Sequence, residues 1–279
     1  MIYTIIPVHN RKNFTKDCLI SLRNQTYKNH KTIIVDDGST DGTKEMLEKE
    51  FPEVIVLHGD GTLFWTAAMN RGVRHALKLG ADFIFTLNND TLAAPDLLEK
   101  MMYWQLRTPN ALLGALDIDA TSRKPYYGGE IINWKWSKAR FLLDELKEEE
   151  RHGLHEVSLF HARGLLVPRK VYETIGLYEE KKLPHYMADN DFTLMAKRHG
   201  FKIYCNYDAC LYTYPEEGGD HKIKKNKTLK NYYNHLFSIK GGANLKNYTI
   251  YVFRNCPKKD IPLALLSGYV RRFAGFWLK

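Results

Sequence analysis

Lys31-Thr32-Ile33-Ile34-Val35-Asp36-Asp37-Gly38-Ser39-Thr40-Asp41-Gly42 is an apolar, β-branched run that stops at two acids and a glycine. A run this short, bounded by turn residues, reads as a buried strand whose exit delivers the acids. The pattern recurs at Phe83-Ile84-Phe85-Thr86-Leu87, which is stopped by Asn88-Asn89-Asp90-Thr91. Each turn therefore places a carboxylate at the carboxyl end of a strand. In an open α/β sheet, that edge is where ligands bind.

Working outward from these two turns, strand and helix patterns alternate through the first hundred residues. Strands are expected at Ile2–Pro7, Lys31–Val35, Val54–Leu57 and Phe83–Leu87, and helices at about Lys12–Gln25, Asp41–Lys49, Trp65–Leu79 and Pro95–Leu106. Asp41 is expected to cap its helix and Pro95 to occupy a first turn. The alternation implies βαβ units, hence an α/β fold with a Rossmann-like, mostly parallel sheet flanked by helices. After Asn110 the regularity fades. A strand is expected at Ala111–Leu116, a β excursion at Tyr126–Trp136, and a charged loop or helix at Asp144–His152. Strands at Val157–Phe160 and Gly164–Val167 follow, then helices at Arg169–Ile175 and Asp189–Arg198 and a last strand at Phe201–Asn206. The chain thus divides into an N-terminal half to residue 110, a second half of the same domain at 111–215, and a C-terminal extension at 216–279.

Composition narrows the class. At 279 residues with 44% hydrophobic content, the chain can bury a sizeable core. The four cysteines, Cys18, Cys205, Cys210 and Cys256, lack the paired spacing of a zinc site and suit a reduced, cytoplasmic compartment. The N-terminal Met1-Ile2-Tyr3-Thr4-Ile5-Ile6-Pro7 has the character of a first strand and lacks the basic and apolar regions of a signal peptide. The longest apolar stretch, Ile261–Val270, is about half the roughly 20 residues that span a bilayer.

The charge is uneven. From His221 to Lys279 there are 13 lysines and arginines against the single acid Asp260, a net of +12; with +9 for the whole chain, residues 1–220 carry −3. This basic, aromatic tail is either a solvated surface or one attracted to anionic lipid headgroups or a diphosphate-linked acceptor. In the second case Tyr269, Phe273, Phe276 and Trp277 would act as interfacial anchors beside Arg271 and Arg272. No recognised nucleic-acid motif accompanies the charge. The aromatic tail also leaves surface that a second copy could bury.

Pro7-Val8-His9-Asn10-Arg11, Asp36-Asp37-Gly38-Ser39, Asn88-Asn89-Asp90 and Asp189-Asn190-Asp191 occur in an order and spacing that resembles the family 2 inverting glycosyltransferases of the GT-A fold. The stretch Gly61-Thr62-Leu63-Phe64-Trp65-Thr66-Ala67-Ala68-Met69-Asn70-Arg71-Gly72 is similar to a bacterial branch with rhamnosyltransferase-like members. The resemblance covers residues 1 to about 210. It implies transfer of a sugar from a nucleoside-diphosphate-sugar donor to a saccharide or lipid-linked saccharide acceptor, in surface polysaccharide or glycoconjugate assembly. The cysteine usage suits a cytoplasmic enzyme, in peripheral contact with the inner face of the membrane if the basic tail binds lipid.

Residue roles follow from that resemblance. The Pro7, Val8, Asn10 and Arg11 loop would lie against the nucleotide, Arg11 adding positive charge or simply opening the next helix. Asp37 would accept the pyrimidine N3 proton, and Asp36 would either contact the nucleotide beside it or cap the turn. Asn88-Asn89-Asp90 stands where the family has Asp-x-Asp. Asp90 would hold Mg²⁺ or Mn²⁺ on the diphosphate, with Asn89 as a hydrogen-bonding neighbour. Relatives place a metal-binding histidine after the last strand; here that region reads Leu211-Tyr212-Thr213-Tyr214, leaving His221 as a replacement. Trp65 or Asn70 would border the donor pocket. The family's Glu-Asp catalytic pair appears as Ala188-Asp189, so Asp189 aligns with the base that removes the acceptor proton and Asp191 is the runner-up. His161-Ala162-Arg163-Gly164 would form part of the acceptor wall.

Two other classes fit parts of the pattern. A sugar nucleotidyltransferase also needs a nucleotide pocket and a metal, but Pro7–Arg11 is not a glycine-rich phosphate loop. A non-catalytic membrane- or polymer-binding module accounts for the tail and leaves the acidic turns unexplained.

Overall fold

The computed structural model describes residues 1–136 and 138–278. In chain order the elements are β1 (Ile2–Val8), α1 (Lys12–Arg23), β2 (His30–Asp37), α2 (Thr43–Glu50), β3 (Ile55–Gly59), α3 (Phe64–Lys78), β4 (Phe83–Thr86), β5 (Thr91–Ala93), α4 (Leu97–Gln105) and β6 (Leu112–Asp119). Then come β7 (Pro125–Tyr127), β8 (Glu130–Asn133), β9 (Lys138–Phe141), β10 (Leu154–Glu156), β11 (Leu165–Pro168), α5 (Arg169–Ile175), α6 (Ala188–Arg198), β12 (Ile203–Thr213), α7 (Gly219–Lys225), α8 (Leu229–Phe237), α9 (Leu245–Asn255) and α10 (Ile261–Leu278).

The main sheet runs β10-β12-β6-β11-β4-β1-β2-β3, with β5 on β12 and β7 on β6. The run β4-β1-β2-β3 is parallel, as is β6 with β12, while β11 lies antiparallel between β4 and β6. Both faces of β1 are buried: Tyr3 and Ile5 join one apolar layer with Ala68, Met69 and Val73 of α3, and Ile2, Ile6 and Val8 join the other with Cys18, Leu19 and Leu22 of α1. That two-sided burial is why the strands read as continuous apolar runs rather than alternating ones. Gly72 lets α3 press on β1, since a Cβ there would sit 2.3 Å from Ile5 Cγ2.

Several sequence expectations need correction. Val157–Phe160 is not a strand; the strand is β10, just before it, and Val157 and Phe160 spend their apolar side chains on the core, Phe160 filling the space left by Gly114. The last strand does not stop at Asn206 but continues to Thr213 past an irregularity between Asn206 and Cys210. Pro95 precedes α4 instead of opening it, because Asp96 is the N-cap. Gly42, in a left-handed conformation, is the N-cap of α2, and Asp41 closes the preceding turn by accepting from the Thr43 and Lys12 N–H groups.

The basic tail folds into α7–α10. A third apolar cluster joins it to the sheet domain through Leu194 of α6, Tyr248, Tyr251 and Val252 of α9, and Ala264 of α10. No helix among the described residues is long and apolar enough to cross a membrane.

Candidate active site

The chain leaves β1 toward β2 and β3 on one side, while β4 flanks β1 on the other, so the carboxyl ends of β1 and β4 flank the sheet's switch point. A cavity of about 540 Å³ opens there, lined by residues that include Arg11, Asp90, His161, Arg163, Asp189 and Lys224. The Asn88–Asp90 turn forms its floor and the start of α6 one wall.

Asn10 and Arg11 both have positive φ, 60° and 68°, conformations that non-glycine residues rarely adopt. The bend is fixed from β2's exit loop: the Asn10 N–H donates to Ser39 Oγ (2.7 Å), and Asn10 Oδ1 accepts from the Thr40 N–H (2.9 Å). This turns the Arg11 guanidinium into the cavity, where it donates to Asp90 Oδ2 (2.9 Å) and Glu217 Oε2 (3.0 Å). Asp90 Oδ1 is buried with no hydrogen-bond partner. The neighbouring amides are already committed, Asn88 Oδ1 accepting from Trp65 Nε1 (3.1 Å) and Asn89 Nδ2 donating to Thr15 Oγ1 (3.0 Å).

Asp189 stands in the first turn of α6, which follows a left-handed Met187 (φ 73°). Its Oδ2 accepts from the Ala162 N–H at 3.3 Å and its Oδ1 from the Asn190 N–H at 2.9 Å. Beside it, Arg163 pairs at 2.7 Å with Asp117, which is fully buried, and His161 Nε2 lies 3.1 Å from the same carboxylate. Burial works against the Arg163 charge, but Asp117 outweighs it and holds that pKa above the ordinary arginine range. The His161 ring stacks on Tyr127 at 4.0 Å. Behind this wall burial, reinforced by the Asp189 charge, pushes the Glu130 carboxyl up to about 7, while a bond from Tyr127 pulls the other way.

A smaller cavity of about 160 Å³ shares Pro7, Trp65 and His185 with the first and adds Val8 and Asp37. Asp37 is buried and accepts from the Gly61 N–H (2.8 Å) and the Leu63 N–H (3.0 Å), clasping the loop before α3. A carboxylate has about four lone-pair positions, so capacity for another donor remains. Burial, with Lys240 nearby, lowers the His185 pKa to about 4 and keeps the ring neutral.

Four residues singled out in the sequence lie elsewhere. Asp36 caps the turn, accepting from the Ser39 N–H at 3.1 Å. Asn10 braces the loops and does not line either cavity described above. Asn70 is buried and clamps the 178–180 segment, its Nδ2 donating to the Tyr178 carbonyl and Glu180 and its Oδ1 accepting from the Tyr178 N–H. Asp191 is also buried, its two oxygens gripped by Arg254 Nε (2.8 Å) and Nη2 (2.9 Å) and by Asn255 Nδ2 (2.7 Å), so it anchors α9 and does not line the cavity.

Comparison with known proteins matches the model described as "Glycosyl transferase family 2" to residues 3–176. The chain belongs to glycosyl transferase family 2. An uncharacterized glycosyltransferase of Rickettsia typhi is 28% identical over 194 residues, 64% of this chain and 54% of that protein. The chain spans about half the length of such curated relatives, and less of others. Among solved structures, S. aureus TarS 1–349 superposes with a TM-score of 0.61 at 12% identity, over 99% of this chain and 88% of that one. GalNAc-T7 with UDP, GalNAc and Mn²⁺ superposes with a TM-score of 0.60 at 13% identity, over 77% and 43%. The fold is GT-A.

For a family 2 chain the metal question turns on Asp90. Its orphaned, buried Oδ1 suits a hard cation that takes one carboxylate, phosphate oxygens and water. His221 lines the cavity but is exposed on α7, and no group of three His, Cys, Asp or Glu side chains able to hold a metal occurs among the described residues. His221 and Asp90 line the same cavity.

Sequence reasoning passed over Asp117, His185, Tyr186, Glu217 and Asp220, all at or beside the cavity. The cluster Glu216-Glu217-Gly218-Gly219-Asp220, acids and glycines at the start of a basic tail, was the available signal. Asp220 is brought to about 2: burial pushes it up, but bonds from His235 (2.6 Å) and Lys224 (2.7 Å) prevail.

Proposed function

We propose that this chain transfers a sugar from a nucleoside-diphosphate-sugar to an acceptor hydroxyl with inversion at the anomeric carbon. The observation that carries this reading is the meeting of Asp90 and Asp189 in one cavity at the carboxyl ends of β1 and β4. A uridine-type base fits the smaller cavity, where Asp37 would accept the ring N3–H, and Pro7, Val8 and Trp65 would bound it. The diphosphate then lies across the larger cavity toward Arg11 and Asp90. A divalent cation, Mg²⁺ or Mn²⁺, bound through Asp90 Oδ1 would neutralise charge on the diphosphate.

Asp189 takes the proton of the acceptor hydroxyl as the acceptor oxygen bonds to the anomeric carbon and the bond to the diphosphate oxygen breaks, so the nucleoside diphosphate leaves with the electron pair. The Ala162 N–H and the helix start hold the carboxylate in place. Arg163, fixed by Asp117, and His161 form the acceptor wall. The UDP and Mn²⁺ of the GalNAc-T7 structure support a nucleotide donor and a divalent cation in this reading. A glycoside product suits assembly of a surface polysaccharide or glycoconjugate.

The test is a transfer assay with proton NMR of the product. Inverted anomeric configuration, lost in Asp189→Asn, supports the reading. Retained configuration, or an Asp189→Asn variant as active as wild type, overturns it.

A further inference from the structure

The tail carries more than charge. Of the 17 large hydrophobic side chains exposed among the described residues, 10 fall in residues 229–278. They are ordered: Leu266, Val270, Phe273 and Trp277 recur at helical spacing along α10 and are 44–64% exposed, and Leu229, Tyr233 and Phe237 do the same on α8. The two helices adjoin, since the Tyr232 hydroxyl donates to the Phe273 carbonyl at 3.2 Å and the Tyr232 ring lies 5.3 Å from Trp277. Scattered surface apolar residues need no explanation, but two stripes on adjoining helices do.

The anchors expected from sequence are half wrong. Phe276 is fully buried, Tyr269 shares a hydrogen bond with Thr249 (2.6 Å), and Arg272 lies 3.4 Å from the Tyr248 ring centre. Phe273 and Trp277 remain outward, joined by the aliphatic and aromatic members of both stripes. Exposed Lys225 and Lys230 accompany them on α7 and α8, while Lys222 is paired with Glu217 (2.5 Å).

We propose that α8 and α10 rest on an anionic lipid bilayer, the stripes entering the interface and the lysines facing headgroup phosphates. The +12 net charge of residues 221–279 selects an anionic occupant and sets this face against a second identical copy. Helices that lie in the interface rather than span it have this combination of an apolar stripe and flanking cations. The surface is continuous with the cavity, because α7 lines the cavity through Asp220, His221 and Lys224 and leads directly into α8. On the transfer reading above, such docking would present the cavity to acceptors carried in the bilayer. Vesicle binding needs no turnover, so the two readings can fail separately.

The experiment is co-sedimentation of the full chain with phosphatidylglycerol-containing and pure phosphatidylcholine vesicles. At least tenfold stronger partition onto the anionic vesicles is expected, reduced at least tenfold in Phe273→Ser/Trp277→Ser and, independently, several-fold in Lys225→Glu/Lys230→Glu. Circular dichroism checks that each variant is folded, and the charge pair keeps the test open should the aromatic pair misfold. Equal partition onto both vesicles, no partition, or partition that both folded variants retain would overturn the proposal. So would a concentration-dependent dimer in ultracentrifugation that the aromatic substitutions abolish, which would assign the face to a second copy.

Discussion

Asp189 and Asp191 are two residues apart, and on a helix that separation puts their side chains on different faces. One carboxylate meets the cavity; the other meets Arg254 and Asn255. Their substitutions should therefore fail differently. Asp189→Asn is expected to lower kcat by about 10² to 10⁴-fold with little change in melting temperature, the size of a lost general base. Asp191→Ala is expected to cost about 1 to 3 kcal/mol of stability, because it leaves the buried Asn255 amide and part of the Arg254 fork without their acceptor, while Arg254 keeps Glu179 (3.1 Å). Parallel measurement of turnover and urea denaturation separates the two. The sequence offered both acids, and only the arginine 63 residues downstream decides between them. Asn70 shows the same limit: its place beside Trp65 suggested a donor contact, while its partners at residues 178 and 180 are invisible locally.

Glu130 supplies a pH dependence at the same scale. Its carboxyl, at about 7, sits above the ordinary value of 4.5, chiefly through burial. The folded state therefore holds this proton where the unfolded chain has lost it. Stability from this group is fully present below pH 4.5 and declines as pH rises through about 7. Glu130→Gln should flatten that decline, gaining on the order of 2 to 3 kcal/mol relative to wild type at pH 8 and nearly nothing at pH 4.5. Urea denaturation of both proteins across that range checks it; parallel pH curves would contradict it.

At the scale of elements, the N-terminal strands and helices were legible because β1, β2 and β4 are buried on two sides and each helix has one apolar stripe. β1, β2 and β4 and the helices between them fall within a few residues of their expected bounds. Legibility ended where apolar residues pack with only an isolated bridge, as at Val157–Phe160, and where a strand continues through a bulge, as in β12. The close approach of α3 to β1 gives a prediction here. Gly72→Ala is expected to destabilise by about 1 to 3 kcal/mol, because its new methyl overlaps Ile5 in a packed layer. A urea midpoint unchanged from wild type would contradict it.

At the scale of the whole molecule, the two acidic turns and the start of α6 come from three distant stretches and meet only because β1 and β4 adjoin, with the chain passing to opposite sides of them. Strand order is a long-range property, but the rule that ligands bind at carboxyl ends made the meeting legible in advance. The closing of the site by Glu217, Asp220 and Lys224 was not, since it depends on α7 folding back over the cavity. Charge counting marked the basic tail, while which of its aromatics face outward was set by packing on α8 and α9.

The most direct measurement is calorimetric titration of UDP-, dTDP- and GDP-sugars, with and without Mn²⁺, into wild type, Asp90→Ala and Asp189→Asn. One donor should bind in a Mn²⁺-dependent manner, lose at least tenfold in affinity in Asp90→Ala, and bind Asp189→Asn within about twofold of wild type, since a lost base removes chemistry rather than ground-state binding. Absence of binding by every donor, or binding indifferent to Asp90→Ala, would contradict a donor site built at the carboxyl ends of β1 and β4.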